Sequence, residues 1–402
     1  MKRSSRALDY GWLPIAALLA TVVSGCATPG ATSQTNEVPF DQAVTGAVDS
    51  LVTQTQRIPA FLAKAESKLI KRAVVVDPMI DASSGQQTGV TKLLEQRVSA
   101  RLTSTYDQIE LLPFSGANLG KAQYLLTGTT TTVPAQSSRH SVRIDLALTE
   151  LKTGNVVAQA SAVARDEGLD SSPTAYYRDS PILVKDKYVD GYIRTSATPP
   201  GQHGDADYLN SIAAATVIDA AGTLYNAERY QESLQEYNEV PASPAGQQLR
   251  VLVGLYLTNS KLGKASEAEE AFSKVVALGV STKFIDVKLL FNPGSTNFWS
   301  DPKVSGVYPM WLRQIAREAV AANVCMDIVG HTSHTGTESL NDALSLQRAN
   351  YIQQRLVAES PLLAGKTTTV GKGFHENIVG SGTDDVRDAL DRRVEFKIVP
   401  CK

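Results

Sequence analysis

Residues 326–356 read MDIVGHTSHTGTESLNDALSLQRANYIQQRL, the pattern of a strand, a polar loop and a helix in succession. The apolar run 326–330 predicts a buried strand, and the loop after it leads the chain into the helix. By the spacing i, i+3, i+4 and i+7, one face of this helix carries Asn341, Leu344, Ser345 and Arg348. We expect Leu344 to point towards the core, with Asn341 and Arg348 at its border.

Arg348 is the residue of this helix face that we expect to bind a ligand. An arginine guanidinium offers planar, paired donors that match a carboxylate, and backbone amides at the start of a helix also favour anions. The residues therefore predict a small carboxylate pocket between the loop and the helix. The loop histidines His331 and His334 are too few for a metal site, which needs three or four ligands, so we predict no metal.

Three further segments accompany this stretch: LLFNPGSTNF at 289–298, VGKGF at 370–374 and DRRVEFKI at 391–398. In order and spacing the set resembles the C-terminal domain of the OmpA family, which is also found in peptidoglycan-associated lipoprotein. The resemblance implies a βαβαβ-type domain over residues 286–402 that binds the diaminopimelate side chain of the peptidoglycan stem peptide. It implies a ligand site formed by Arg348, which grips the carboxylate, with Thr332, Ser333, Asn341, Arg392 and Arg393.

This chain departs from the family pattern at two positions. Ser333 stands where the family usually has an aspartate that pairs with the ligand's ammonium, and a hydroxyl supplies no charge. Losing one charge-assisted contact costs roughly 1.5–3 kcal/mol, so wall binding is expected to be weak, altered or absent. Asp391 replaces the asparagine of the family's Asn-Arg-Arg; we expect it to keep a capping role, while Arg392 or Arg393 lines the site.

The start of the chain has the pattern of a signal peptide over residues 1–25, with a positive beginning and an apolar run too short to span a bilayer. Val23-Ser24-Gly25-Cys26 resembles the lipobox of bacterial lipoproteins. That resemblance implies cleavage before Cys26, acylation of Cys26 and a lipidated tether over residues 26–38. The alanine after Cys26 favours the outer membrane, with the chain facing the periplasm. The alternative is a soluble secreted protein in which Cys26 is an ordinary cysteine.

The chain has three cysteines, an odd number for an oxidising compartment. If Cys26 is acylated, Cys325 and Cys401 remain, both at ends of predicted strands in the C-terminal module. A disulfide between these two fits a periplasmic protein, and two free buried thiols are the alternative.

Residues 39–168 have the pattern of an α/β sandwich, with an amphipathic helix, β-branched runs and a hairpin. The segments AVVVDPM at 73–79, YLLTGTTTT at 124–132 and LTELKTGNVVAQAS at 148–161 resemble the CsgG and TolB N-terminal-like domains of envelope lipoproteins. This resemblance implies a fold but no single activity.

The middle of the chain has two parts. Residues 169–207 lack periodicity and predict an irregular linker segment, whose tyrosines form a contact surface or pack as loop aromatics: Tyr176, Tyr177, Tyr188 and Tyr192. Residues 208–280 are alanine-rich and helical. Two stretches there align 35 positions apart and resemble tetratricopeptide repeats, with Tyr230, Ser233 and Tyr237 matching Ala265, Ala268 and Phe272. The repeats predict a peptide-binding concavity or a helical spacer.

The predicted fold class is therefore α+β multidomain, with an N-terminal α/β sandwich, a short helical repeat region and a C-terminal OmpA-like βαβαβ domain. A net charge of −2 gives no basic patch for nucleic acid. The sequence carries no serine-hydrolase, metalloprotease, phosphate-loop or dinucleotide motif, so we predict neither an enzyme nor a cofactor.

Together these features predict an outer-membrane lipoprotein that tethers the membrane to peptidoglycan and scaffolds an envelope complex through an unknown envelope protein. The alternative is an assembly or secretion accessory lipoprotein whose OmpA-like domain binds protein rather than the cell wall.

Overall fold

The structure is a computed structural model that describes residues 37–56, 71–135, 140–240, 246–292, 294–380, 382 and 387–401. The predicted signal peptide, Cys26 and nearly all of the tether lie outside these residues. Within the described ranges, none of the helices has the length and apolar character needed to cross a bilayer.

A six-stranded sheet organises the N-terminal part of the chain. Its elements, in chain order, are α1 (Phe40–Gln56), β1 (Arg72–Val76), β2 (Ile80–Asp81), α2 (Gly89–Thr105), β3 (Ile109–Leu112), α3 (Gly116–Leu119), β4 (Tyr124–Pro134), β5 (His140–Glu150) and β6 (Val156–Arg165). The strand order is β3-β1-β4-β5-β6, with β2 paired to β4. Strand β1 is parallel to β3 and β4, whereas β4, β5 and β6 are antiparallel, as the predicted hairpin requires.

Six helices follow the sheet: α4 (Ala175–Asp179), α5 (Lys187–Ser196), α6 (Ala206–Asn226), α7 (Tyr230–Glu239), α8 (Leu249–Lys261) and α9 (Ala265–Thr282). Successive side chains of a strand point to opposite faces. Val74 accordingly packs with α1 and α2, while Val75 packs on the other face with Tyr192 of α5 and Tyr208 of α6. The sheet is therefore covered by helices on both faces.

Residues 169–207 differ from the predicted irregular linker segment. They contain α4 and α5, and the four tyrosines of the segment are all buried, with 4–7% of each residue exposed: Tyr176, Tyr177, Tyr188 and Tyr192. Helices this short give little periodic signal and depend on tertiary packing. The aromatics are packed, as one of the two sequence interpretations held.

Helices α6 to α9 form two successive hairpins. Helices α7 and α9 begin at Tyr230 and Ala265, the first aligned pair of the predicted repeat. Ser233 and Tyr237 of the first stretch are buried, as are the matching Ala268 and Phe272 of the second. A Cβ on Gly254 of α8 would collide with the Tyr237 ring, so a glycine is required where α7 and α8 meet. The tetratricopeptide class itself stays a prediction.

The C-terminal part consists of β7 (Phe284–Val287), α10 (Pro302–Ser305), α11 (Tyr308–Ala321), β8 (Cys325–Gly330), α12 (Glu338–Glu359), β9 (Thr367–Gly371) and β10 (Val394–Val399), with 3-10 turns at Pro361–Leu363 and Arg387–Leu390. The strand order is β7-β10-β8-β9. Strands β8 and β9 are parallel, and β10 is antiparallel to β7 and β8. Strands β7, β8 and β9 with helices α11 and α12 form the expected βαβαβ succession. A fourth strand, β10, lies between β7 and β8 in the sheet. Cys325 and Cys401 form a disulfide.

The C-terminal sheet shares one continuous hydrophobic core with helices α6 to α9. Leu183 N donates to Asp286 O at 3.2 Å, and Lys288 N donates to Pro181 O at 2.8 Å. The segment before α5 thereby covers the outer edge of β7. The C-terminal part depends on the middle helices for its packing, so residues 286–402 alone would expose part of this core.

Candidate functional site

Helix α12 lies directly against the ends of β8 and β9. A Cβ on Gly330 would collide with Ser345 O, and Gly373 has a positive φ of 49°, so both positions favour glycine. The Gly373 N–H donates to Ser345 Oγ at 2.9 Å. This close approach fixes the loop 331–337 beside the start of the helix.

Arg348 is nearly enclosed, with 5% of the residue exposed. Its Nε donates to Ser295 O at 3.2 Å and its Nη2 donates to Asn292 O at 3.4 Å. The guanidinium carbon lies 4.8 Å from the centre of the Phe291 ring, a cation–π distance. The segment before α10 therefore covers the arginine with one aromatic ring and two neutral carbonyls.

The buried face of α12 is centred on Ser345, one residue beyond the predicted Leu344. Asn341, Ser345 and Arg348 are buried, whereas Leu344 is only half-buried. Leu344 is therefore not the core residue of this face. The core contacts come from Ala349, Ile352 and Leu356 further along the helix.

The polar residues of the loop are held by the backbone. Asn341 Nδ2 donates to Thr335 O at 2.7 Å and to Thr337 O at 3.1 Å, which joins the loop to the helix. Thr332 N donates to Gly373 O at 2.8 Å, and Thr332 Oγ1 is buried without a hydrogen-bond partner in the described part of the chain. Ser333 is 4% exposed, with its Oγ 3.4 Å from Thr335 Oγ1.

Arg393 corrects part of the predicted site. It is 4% exposed, its Nη2 donates to Glu395 Oε1 at 2.6 Å, and its Nε lies 3.6 Å from Asp286 Oδ1. His331 Nε2 lies 3.3 Å from Glu395 Oε1 in the same cluster. Arg393 is therefore engaged by these two acids.

Burial governs ionisation in this cluster. Burial raises the pKa of Asp286 to about 7 and lowers the pKa of His331 below its ordinary value. Burial also opposes ionisation of Glu395, yet the neighbouring His331, Lys397 and Arg393 hold the pKa of Glu395 below its usual range. Glu395 is therefore the anion that Arg393 neutralises.

Arg392 remains the candidate ligand contact of the pair. It is half-buried, whereas Arg393 is buried.

Glu338 and Asp342, two acids that follow Ser333 in the sequence, both lie close to His375. His375 Nε2 lies 3.4 Å from Glu338 Oε1 and 3.3 Å from Asp342 Oδ1, on the exposed side of α12. Asp391 keeps the expected capping role: its carboxylate accepts hydrogen bonds from the backbone amides of Ile378, Val379 and Gly380 at 2.7–3.0 Å.

Sequence reasoning missed the groups that contact Arg348. Phe291, Asn292 and Ser295 lie within the quoted segment LLFNPGSTNF, but two of them act through backbone carbonyls, which no side-chain pattern reveals. The buried pair Asp286 and Glu395 also went unnoticed. Its signal is a pair of acids at inward-facing positions of adjacent strands β7 and β10.

Residues 290–390 match the OmpA family, so this part of the chain is an OmpA-like domain. Outer membrane protein Omp38 of Acinetobacter baumannii is 39% identical over 72 residues, 18% of this chain and 20% of that protein. Outer membrane porin F of Pseudomonas aeruginosa is 35% identical over 71 residues, again 18% and 20%. The chain thus spans about a fifth of the length of these curated relatives.

Among solved structures, the peptidoglycan-associated lipoprotein from Burkholderia pseudomallei matches 28% of this chain and 88% of its own, with 21% identity and a TM-score of 0.24.

Proposed function

We propose that this chain is an outer-membrane lipoprotein that binds the peptidoglycan stem peptide through its OmpA-like domain. One observation carries the proposal: Arg348, within the residues that match the OmpA family, is buried between α12 and the segment 291–295. The names of the curated relatives, which are outer membrane proteins, support the same location.

Arg348 is the group that receives the diaminopimelate carboxylate. Its guanidinium now donates to neutral carbonyls at 3.2 and 3.4 Å. A carboxylate forms shorter, charge-assisted bonds with the same N–H groups. Binding therefore exchanges the carbonyls of Asn292 and Ser295 for the ligand and displaces the segment that carries them.

In this proposal, Ser333 and Thr332 provide the other side of the site. The hydroxyl of Ser333 accepts one hydrogen bond from the ligand's ammonium but provides no charge, so the site binds more weakly than an aspartate-bearing one. A lipid anchor at Cys26 offsets this weakness, because a tethered domain meets the wall at a raised effective concentration.

The test is co-sedimentation of the full chain, in detergent, with purified peptidoglycan sacculi. The full chain is required because the OmpA-like domain shares its core with the middle helices. We expect wild type to pellet with the sacculi and Arg348→Gln to lose about tenfold or more in affinity. Arg355→Gln, on the same helix, is the matched control and should pellet as wild type does. Equal pelleting of wild type, Arg348→Gln and an unrelated protein would exclude wall binding.

The lipid anchor has a separate test. Cells that express the full chain are grown with alkyne-tagged palmitate, and the protein is examined for label. We expect label on wild type and none on Cys26→Ser. Unlabelled wild type, or label that persists in Cys26→Ser, would contradict acylation at Cys26.

A second function, binding of an envelope protein by the same domain, is favoured by the uncharged Ser333 and by the enclosure of Arg348. In that case wild type does not pellet with sacculi, while crosslinking in cells captures a protein partner at residues of the loop 331–337.

A further inference from the structure

A cleft is bounded by the N-terminal sheet on one side and by the OmpA-like domain on another. Its volume is about 270 Å³, close to the lower end of the ~300–1,000 Å³ range of small-molecule sites. Its walls come from the turn between β2 and α2, the ends of β4 and β5, the segment 166–171 after β6, and residues 378–380. It contains none of the residues assigned to the stem-peptide site.

The floor of the cleft is one face of the N-terminal sheet. Thr130 and Thr132 of β4 both line the cleft, and side chains two apart on a strand share a face. Asp81 of β2 pairs with Thr130, and Val142 of β5 pairs with Thr132. These two partners also line the cleft, so four side chains of three strands point the same way. The cleft is therefore a continuation of the sheet face that α2 covers.

Thr130 brings an unsatisfied polar atom to this floor. The residue is 2% exposed, and its Oγ1 has no hydrogen-bond partner within the described part of the chain. A buried hydroxyl without a partner costs free energy. Gln86, which is 5% exposed, adds a side-chain amide to the lining. The floor and the turn therefore favour a ligand with hydroxyl and amide groups.

The charges around the cleft disfavour an anionic ligand. Two acids line it, Asp81 and Asp166, and no lysine or arginine belongs to its described lining. Asp81 Oδ1 accepts hydrogen bonds from the Ser84 N–H and hydroxyl, both at 2.8 Å. The Lys185 ammonium donates to two carbonyls of the same turn at 3.1 Å, which places a cation close to Asp81. Asp166 is exposed to water, so the interior is polar with little net charge.

The walls are fixed without a ligand. At the start of α2, Gly89 N donates to Ser172 O at 3.1 Å and Val90 N donates to Asp170 O at 2.6 Å, which holds the segment 166–171 in place. The amides of residues 378–380 are capped by the Asp391 carboxylate. Because a preformed site pays little ordering entropy on binding, the cleft is suited to a weakly held polar ligand.

One loop connects the cleft to the stem-peptide site. Gly373 accepts a hydrogen bond from Thr332 N at 2.8 Å, and Ile378 lines the cleft. The chain from Gly373 to Ile378 is five residues long and spans at most about 18 Å. A group that is covalently joined to the stem peptide can therefore reach the cleft.

We propose that this cleft binds an uncharged saccharide, the N-acetylated sugar of the glycan strand to which the stem peptide is attached. The source of the sugar rests on the proposed wall binding. Sugar hydroxyls donate to Asp81 and pair with Thr130 Oγ1, and the acetamide group pairs with the Gln86 amide. The chain thereby holds both the peptide and the glycan of one wall unit.

The test is saturation-transfer NMR titration of the purified full chain with a soluble tetramer of N-acetylglucosamine. Its deacetylated counterpart, the glucosamine tetramer, is the matched cationic probe. We expect saturable binding of the N-acetylated tetramer and at least about threefold weaker binding of the deacetylated one, because ammonium groups lose hydration in the cleft. These soluble probes carry no stem peptide, so their binding does not depend on Arg348 and a failure here leaves the stem-peptide site standing.

Two variants locate the binding. Thr130→Val removes the unpaired hydroxyl at nearly constant volume and should weaken the tetramer about threefold to tenfold. Thr132→Trp, at an exposed position, should block the cleft without repacking the core. Thr131→Val, on the opposite face of β4, is the matched control and should bind as wild type does.

Circular dichroism first establishes that each variant is folded. The proposal is overturned by an absence of tetramer binding at up to about 10 mM, by tighter binding of the deacetylated tetramer, or by wild-type affinity in folded Thr132→Trp.

Discussion

Trp311 Nε1 donates a hydrogen bond to the Tyr256 hydroxyl at 2.8 Å, which joins α11 of the OmpA-like domain to α8 of the helical region. Phe272 of α9 stacks on the Trp311 ring with the ring centres 5.6 Å apart. These aromatics belong to the continuous core that both parts share. Because each part completes the core of the other, we expect them to unfold in one transition.

Replacing Trp311 tests this coupling. Trp311→Phe keeps an aromatic ring but leaves the Tyr256 hydroxyl without its donor, which should lower the free energy of unfolding by about 1–3 kcal/mol. Urea unfolding followed by tyrosine fluorescence and by circular dichroism measures the change. Trp299→Phe, at a residue 40% exposed, is the control and should be nearly neutral. Two separated unfolding transitions in wild type would show that the OmpA-like domain and the helical region unfold independently.

Ser333→Asp tests the lost charge in the wall site. An aspartate supplies the anion for the ligand's ammonium, so affinity for sacculi should rise about tenfold to a hundredfold. Ser333→Asn has nearly the same volume without the charge and should stay close to wild type. A gain confined to the aspartate variant is the expected result in co-sedimentation. Equal affinity of all three proteins would mean that no ammonium approaches position 333.

The disulfide between Cys325 and Cys401 links the segment after β10 to β8. Cys325 pairs with Val399 in the sheet, and the cystine closes a loop with a sequence separation of 76 residues. Cys401→Ser should therefore lower the free energy of unfolding by about 2–5 kcal/mol. Reductant should destabilise wild type by a similar amount and leave Cys401→Ser unchanged. Wild type that is insensitive to reductant in urea unfolding would argue for free thiols.

Asp77 should make stability depend on pH. Burial raises its pKa to about 7 in the folded chain, whereas the pKa is about 3.9 in an unfolded chain. Between these values the folded state binds more protons, so the contribution of Asp77 is full below about pH 4 and is lost as pH rises to about 7. Asp77→Asn removes this pH dependence, which changes the free energy of unfolding by on the order of 2–4 kcal/mol over that pH range.

The measurement is the urea midpoint at several pH values from acid to neutral. Asp77→Asn should lose less stability than wild type over this range, because a neutral amide still accepts the hydrogen bond from Tyr208. Asp207→Asn, an exposed acid on the same helix as Tyr208, should follow wild type. Parallel curves for Asp77→Asn and wild type would show that Asp77 ionises normally.

The OmpA-like domain could be predicted from sequence in some detail. The succession of strand, loop and helix over residues 326–356 needs only local periodicity, and β8 and α12 were found there. The same spacing placed Asn341, Ser345 and Arg348 on one face. The centre of that face was missed by one residue, because Ser345 packs against Gly330 and the apolar Leu344 does not.

The middle of the chain could be predicted less well. Long helices such as α6 and α9 show their periodicity, whereas α4 and α5 are too short to do so. The segment around them was therefore interpreted as a linker. Its order comes from distant contacts, such as the Lys288 ammonium, which donates to Tyr177 O and Arg178 O at 2.9 and 3.0 Å.

The sequence alone determined the long, periodic helices and strands and the family that the last quarter of the chain resembles, and it placed Arg348 with Asn341 and Ser345 on one face of α12. The tertiary structure decided that Arg393 is buried against Glu395 and Asp286 while Arg392 stays half-buried. It also decided that Cys325 pairs with Cys401 and that Asp81 and Thr130 line one cleft with residues 378–380. Helix and strand periodicity depends on residues that are close in the sequence. The partners of a buried charge come from segments far apart in the sequence and meet only when the chain folds.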